Sequence, residues 1–193
     1  MSLQKYKKLV EKNPSNIAAR YGLSLALIKS SSFEEAVNEF EALRPRLPNT
    51  ILMLAAYAEV LASAGQHQKA EKIVEKRLAI SPDNQPLSMI HAKALIATKR
   101  FKEAEKILIR LSKVRPNDVD IWYELAETSG LAGNISGVHI ARAEYFVLHG
   151  AYTRSIQHLE YAKSLTRGNN PQLQAKLAQQ IQDLKTQVRL AKG

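Results

Sequence analysis

Three short stretches of near-identical sequence, spaced evenly along the chain, decide the fold. Residues 33–36 read FEEA, residues 67–70 read HQKA and residues 101–104 read FKEA, so their alanines recur at a constant interval. Prolines keep the same period at Pro48, Pro82 and Pro116. Because proline cannot continue a helix interior and a neighbouring Asp or Asn caps the next helix, each unit is predicted to be helix, short turn, helix and breaker.

Composition agrees with a helical protein and excludes several kinds of site. The 193 residues are 45% hydrophobic and 24% charged, with 8 glycines, 7 prolines and no cysteine. Such a chain can bury a core, and its good helix formers predict an almost purely α fold. Without cysteine, a disulfide framework, a thiolate zinc site and a cysteine nucleophile are all excluded. No run of 18 apolar residues predicts a membrane span, and the first residues do not look like a signal peptide.

The period of about 34 residues and its punctuation resemble the tetratricopeptide repeat (TPR). Residues 122–126, WYELA, match part of that repeat's consensus, and small residues recur at matching points of the first helices as Ser24, Ala58, Ala92 and Ala126. The resemblance implies an all-α fold, a right-handed TPR superhelix (alpha-alpha solenoid) of helical hairpins. Small residues at these points let the paired helices approach closely.

The period breaks near the C-terminus. Residues 150–156, GAYTRSI, repeat the turn and second-helix signature with Ser155 in the alanine place, but Ser155 follows Ala104 by 51 residues. We therefore expect one helix, residues 136–149, to be shared by two hairpins and to pack on both neighbours. The apolar residues expected to form its two packed faces are Val138, Ile140, Ala141, Ala143, Phe146, Val147 and Leu148. Gly168 is expected to end the following helix, and Pro171 to open a polar-backed capping helix.

These signals predict one TPR-like solenoid domain over residues 1–193. Residues 1–14 form a truncated repeat, and residues 15–48, 49–82 and 83–116 form full repeats. Residues 117–149 and 136–167 form overlapping repeats, and residues 171–190 form the C-terminal capping helix. A start in mid-repeat leads us to expect a piece of a longer protein.

The motifs of catalysis are missing. The five histidines, His67, His91, His139, His149 and His158, contain no His-Glu-x-x-His pair. His91 occupies the position of Leu23, Tyr57 and Leu125 in the other hairpins, which favours a packed histidine at the core edge and leaves a ligand or base role as the alternative. We expect no enzyme, no catalytic residue, no metal and no cofactor in this chain.

The positive net charge of the chain indicates an alternative function. Lys and Arg number 28 against 18 Asp and Glu, a net charge of +10, and they are densest between Lys93 and Arg115. A nucleic-acid-binding protein would use such a patch to contact phosphates and would place aromatic side chains among the basic ones. Phe101 is the only aromatic residue in this stretch, so a solvated helix face is the favoured interpretation. A free-standing basic adaptor for nucleic acid or another polyanion remains the alternative.

A narrower resemblance rests on the C-terminal sequence. Residues 143–152, AEYFVLHGAY, and 155–160, SIQHLE, with the hairpins around residues 21–27 and 122–127, resemble the C-terminal domain of bacterial periplasmic zinc metallopeptidases. The resemblance implies a periplasmic protein whose zinc lies only in a peptidase domain absent here. It also implies polypeptide partners: substrates, the outer-membrane assembly machinery, or the parent's own peptidase domain.

The partner surface follows from the TPR resemblance. First helices line the concave face of such solenoids, and positions two before and two after the packed leucine point into the groove. Here these are Tyr21, Leu25, Ala55, Glu59, Met89, Lys93, Tyr123, Glu127, Ile140 and Glu144. Only Lys93 is basic, so a clamp for a terminal carboxylate is not expected, and a segment with apolar anchors and some positive charge fits better. As an alternative, these side chains cover the inner face or pack against the peptidase half.

Overall fold

A computed structural model describes residues 2–46, 50–82, 84–168 and 170–191. In that part of the chain every regular element is helical, which confirms the all-α prediction. The α-helices are α1 (Leu3–Lys12), α2 (Ile17–Lys29), α3 (Phe33–Leu43), α4 (Ile51–Ser63), α5 (His67–Leu78), α6 (Gln85–Ala97), α7 (Phe101–Val114), α8 (Val119–Leu131), α9 (Ile135–Leu148), α10 (Tyr152–Leu165) and α11 (Pro171–Leu190). A 3₁₀ turn, Arg44–Arg46, follows α3, and Pro48 of the predicted breaker series lies outside the described residues.

Helix starts follow the repeat period. The first helices α2, α4, α6 and α8 begin one period after one another, and Asn16, Thr50 and Asn84 precede three of them. Each of these three side chains accepts a hydrogen bond from the backbone N–H three residues later, at 3.0, 3.3 and 3.2 Å. Because the first N–H groups of a helix have no internal partner, these caps fix where the first helices begin.

The chain forms two compact units, α1 to α6 and α7 to α11. In unit one the core joins Leu27 of α2, Phe40 of α3, and Leu61 of α4. In unit two one cluster joins Ala143 of α9, Leu159 of α10 and Leu177 of α11. The partition of residues 1–193 into one domain with the repeat boundaries given above stays a prediction.

One type of tight turn joins the helices within hairpins. Ser31, Gly65, Lys99 and Gly133 have positive φ between 61° and 80° and follow one another by one repeat period. After three of these turns, at residues 32, 66 and 134, a backbone N–H bonds to the carbonyl five residues earlier, at 2.8 to 2.9 Å. This pattern is the Schellman ending of a helix, in which a left-handed residue reverses the chain.

Gly150 repeats that turn only half a period after Gly133. Its φ is 68°, and the N–H of Ala151 bonds to the carbonyl of Phe146 at 2.9 Å. Tight hairpin turns thus flank α9 on both sides, and α9 packs against both α8 and α10, which confirms the expected double packing. The two-sided helix buries Ala141 and Ala143 fully, while the other predicted apolar residues of α9 are half-buried.

Small residues mark the roles of α9 and α10. Ser155 is completely buried, like Ala36, Ala70 and Ala104 at the corresponding place of the earlier second helices. Ala143, half a period after Ala126, is buried as the small residues of first helices are. The helix α10 therefore packs as a second helix against α9, as its sequence signature predicts.

The capping helix begins and ends as expected. Gly168 has φ +83° after α10, and Pro171 is the first residue of α11, where its missing N–H costs nothing. Asn170 caps this helix by accepting from the N–H of Leu173 at 3.0 Å. Leu177, Ile181 and Leu184 bury one face of α11, whereas most of its remaining side chains are polar.

Candidate functional site

The predicted groove residues of unit one lie on helices that are neighbours. The helix α2 packs against α4, and α4 packs against α6. Leu25, Glu59 and Lys93 are exposed, Tyr21 and Met89 are half-buried, and Ala55 is buried. Leu25 therefore offers a partner the most accessible apolar side chain of this set, and Ala55 offers little surface.

Tyr21 also serves the core of unit one. Its ring meets Phe40 edge-on at 5.9 Å, and Phe40 stacks on Tyr57 at 5.3 Å. The Tyr57 hydroxyl donates to Glu41 Oε1 at 2.9 Å, and burial, followed by this carboxylate, raises the pKa of Tyr57. Substituting Tyr21 would disturb this aromatic stack, so its loss cannot separate binding from folding.

The predicted groove residues of unit two lie on α8 and α9. Tyr123 is 55% exposed, with its ring centroid 6.2 Å from that of Tyr145. Glu127 forms an ion pair with Arg142 at 3.6 Å. Ile140 and Glu144 are half-buried, and Glu144 Oε1 accepts a hydrogen bond from Gln180 Nε2 of α11 at 3.0 Å. Tyr123 is thus the most accessible apolar member here, and Glu144 is already engaged by α11.

A buried carboxylate fixes the turn before α9. Glu105 of α7 accepts hydrogen bonds on Oε1 from Ser129 Oγ and from Asn134 Nδ2, both at 2.7 Å. Asn134 also caps α9, since its Oδ1 accepts from the N–H of Gly137 at 2.9 Å. Charge-assisted bonds of this length are stronger than neutral ones, so Glu105 positions the start of α9.

Two histidines that looked unrelated in sequence meet between α9 and α10. The Nδ1 atoms of His139 and His158 are 2.8 Å apart, so one ring donates and the other accepts. Burial, followed by the charge of Arg142, lowers the pKa of His139. Burial, then His139 and then Arg142, lowers the pKa of His158. The sequence indicated only that these histidines lie on either side of the turn at Gly150. Their contact depends on how α9 and α10 cross.

His91 packs at the edge of the core, with a side chain 15% exposed. Its Nε2 faces two glutamates of the preceding helix, Glu71 and Glu75. His91 was a candidate from its place in the repeat, whereas Glu71 and Glu75 were not. A Glu-x-x-x-Glu spacing on one helix face, followed by a histidine on the next helix, was the signal that could have found them.

The basic residues of α7 are solvent-exposed. Lys102, Lys106, Arg110 and Lys113 are exposed, and Phe101 is half-buried, which fits a solvated outer face. The polyanion-binding alternative stays a prediction. Among the described helices, none combines the length and the apolar character that crossing a bilayer requires.

Comparison with known sequences agrees with the repeat interpretation. Residues 61–128 match the family model described as tetratricopeptide repeat. The chain is 28% identical over 150 residues to the beta-barrel assembly-enhancing protease of Yersinia pestis, a stretch covering 77% of this chain and 30% of that protein. A putative beta-barrel assembly-enhancing protease of Vibrio cholerae is 30% identical over 79 residues, 41% of this chain and 16% of that protein. The chain thus spans less than a third of these relatives.

Solved structures show the same fold. A tetratricopeptide repeat protein from Parabacteroides merdae superposes with a TM-score of 0.60 at 16% identity, covering 93% of this chain and 76% of the other. YrrB, described as a TPR protein with an unusual peptide-binding site, gives a TM-score of 0.59 at 15% identity, covering 80% of each chain. Residues 61–128 are therefore similar to tetratricopeptide repeats, and the chain has the helical-hairpin solenoid fold of TPR proteins.

Proposed function

We propose that this chain is a polypeptide-binding domain whose partner surface lies on its first helices. TPR folds serve protein–protein interaction. The observation that carries the proposal is the exposure of large apolar side chains at the predicted groove positions of both units, Leu25 at 40% and Tyr123 at 55%. Exposed apolar and aromatic groups beside polar ones are typical anchor points for a bound segment.

The charges around these anchors define the partner's chemistry. The groove set contains three glutamates, Glu59, Glu127 and Glu144, and one lysine, Lys93. Glu127 is already paired with Arg142 and Glu144 with Gln180, so the exposed Glu59 is the carboxylate best placed to favour a segment with positive charge beside its apolar side chains. The groove set disfavours a partner recognised through its terminal carboxylate, which needs several basic groups.

At a finer level, we propose that the chain is the recognition domain of a periplasmic zinc metallopeptidase that acts in outer-membrane protein assembly or quality control. The support is the similarity to beta-barrel assembly-enhancing proteases over 77% of the chain. No His-Glu-x-x-His sequence occurs here, so peptide hydrolysis and its zinc belong to another part of such a protein. The reading frame that encodes this segment should then also encode that motif and a signal peptide.

Peptide display tests the binding function even while the natural partner is unidentified. A library of random peptides should enrich sequences that combine apolar anchors with Lys or Arg. Tyr123→Ala should lower the affinity for the enriched peptides about tenfold, as loss of an aromatic anchor does. The melting temperature of the variant should be unchanged.

Tyr161→Ala is the matched control, since Tyr161 is 60% exposed but lies on the second helix α10. It should bind the enriched peptides like the unaltered chain. Equal losses from both variants, or enrichment of acidic peptides, would contradict the proposed surface. A photo-crosslinking residue placed at position 123 or 161 of the full-length protein extends the same comparison to cells.

A further inference from the structure

Two glutamates and one histidine converge on one point between α5 and α6. His91 Nε2 lies 3.5 Å from Glu75 Oε1 and 3.6 Å from Glu71 Oε1. These three atoms all lie within 4.8 Å of one another. The glutamates are four residues apart on α5, so they share a helix face, and His91 reaches them from α6.

The imidazole nitrogen has no hydrogen-bond partner in the described part of the chain. His91 Nε2 is shielded from solvent, although it lies between two carboxylate oxygens. A buried polar atom without a partner is uncommon and calls for a physical cause, such as an ion. A metal cation between these groups would contact one nitrogen and two oxygens together.

The spacing of these atoms suits a tetrahedral metal. Zinc binds histidine nitrogen and carboxylate oxygen at about 2.0–2.2 Å, which places the ligand atoms of a tetrahedral site about 3.4 Å apart. The two histidine–glutamate separations of 3.5 and 3.6 Å match that edge, and the two glutamate oxygens lie within 4.8 Å of each other. We propose that Glu71, Glu75 and His91 form a binding site for a divalent transition-metal ion of the zinc type.

Burial gives the site an inner side and an outer side. Glu71 is buried, whereas the Glu75 side chain is 49% exposed, so an ion can enter from solvent past Glu75. Three protein ligands leave a fourth position for water. Carboxylate oxygens and an imidazole nitrogen are both ligand types that zinc accepts. In this chain the metal joins α5, a second helix, to α6, the first helix of the next hairpin.

A metal ion at this place differs from the expectation, drawn from the sequence, of no metal in this chain. It is also independent of the proposed polypeptide binding, because the three ligands are not groove residues. The competing explanation is a protonated His91 held between the two glutamates. The two differ in pH dependence: metal binding requires a neutral imidazole and strengthens as pH rises, whereas the ion pair weakens.

The test uses the untagged chain with Zn²⁺ and Co²⁺. One ion per chain should bind, and Co²⁺ should give the visible absorption of a tetrahedral site. At a hundredfold excess over the dissociation constant, Zn²⁺ should raise the melting temperature by roughly 5 °C or more, since it binds only the folded state. The affinity should increase between pH 6 and pH 7.5, because protons compete with the metal ion for its ligands.

Three variants separate the site from incidental surface binding. Glu75→Gln, at a half-exposed position, keeps the fold and should lower the affinity for Zn²⁺ at least about tenfold. Loss of a residue that only hydrogen-bonds to a metal ligand already lowers metal affinity by about that factor. His91→Leu introduces the residue that stands at this position in two other repeats, as Leu23 and Leu125, and it should abolish the thermal shift. His149→Asn removes an exposed histidine and should change nothing.

Absence of a thermal shift, an octahedral Co²⁺ spectrum, or equal binding by Glu75→Gln and the unaltered chain would overturn the site.

Discussion

The hairpins of unit one and the α8 to α10 region of unit two use the same turn at different spacing. In unit one, tight left-handed turns at Ser31 and Gly65 are separated by a whole repeat, and a longer connection follows each second helix. In unit two, Gly133 and Gly150 place two such turns only half a repeat apart, around α9 alone. Local turn chemistry therefore decides whether a helix closes one hairpin or serves two.

The largest expected effect comes from the carboxylate that holds the first of the two close turns. Glu105→Ala leaves Ser129 Oγ and Asn134 Nδ2 without their shared acceptor, which should lower the free energy of unfolding by about 2–4 kcal/mol. Urea unfolding measures it. Glu160→Ala, which removes an exposed ion pair with Lys185, should cost less than about 1 kcal/mol. Similar costs for the two variants would show that Glu105 does not anchor α9.

The turns themselves give the next effect. Gly133→Ala and Gly150→Ala each force a side chain into the left-handed region and should each cost about 1–2 kcal/mol. Gly130→Ala is the control: it lies inside α8, where an added Cβ meets only Val138 at an ordinary 3.6 Å. That variant should instead stabilise the chain by about 0.5–1 kcal/mol, as helix propensity predicts. Thermal unfolding of the three variants ranks their stabilities. If Gly150→Ala were more stable than the unaltered chain, the turn would not require a glycine at this position.

Unit one permits the opposite experiment at a turn without glycine. Ser31 has φ +61°, so Ser31→Gly should relieve strain and raise stability by about 1 kcal/mol. Lys29→Gly, two residues earlier at the end of α2, should lower stability by up to about 1 kcal/mol, because it puts glycine in a helix. Opposite signs in chemical denaturation are the expected result. The same sign from both would mean that Ser31 is not strained.

The smallest effect concerns pH and the contact between α9 and α10. The folded-state pKa values of His139 and His158 lie below the ordinary 6.5, chiefly because burial disfavours their charged forms. Between those lowered values and 6.5 the unfolded chain binds more protons than the folded chain, so stability should fall as pH drops through this window. Denaturation at a series of pH values measures the slope. In the double variant with His139→Asn and His158→Asn, stability should depend less steeply on pH. An unchanged slope would show that this histidine pair does not cause the pH dependence.

Much of this fold could be predicted because the repeat fixes several signals at once. The broken spacing between Ala104 and Ser155 predicted the shared helix, and the expected residues 136–149 differ from the observed Ile135–Leu148 by one residue at each end. The left-handed turns at Ser31 and Lys99 could not be predicted, because serine and lysine give no glycine signal.

Side-chain clusters were harder to predict than helices. The contact of His139 with His158, the acceptor role of Glu105 and the approach of Glu71 to His91 all depend on how two helices cross. A repeat period fixes which residues share a face, but the angle and offset between helices fix which atoms meet. The groove residues stay a prediction for the same reason, although the exposure of Leu25 and Tyr123 makes them the sharpest places to test it.

The packing of helices on their chain neighbours within each unit has a consequence for how the protein reaches its native state. The main contacts of the described helices join partners that are adjacent or next but one along the chain. Such a chain has low contact order, so little loop-closure entropy opposes its first native contacts. Folding is then expected to be fast and to start in any hairpin that forms early, with neighbours adding to it one helix at a time.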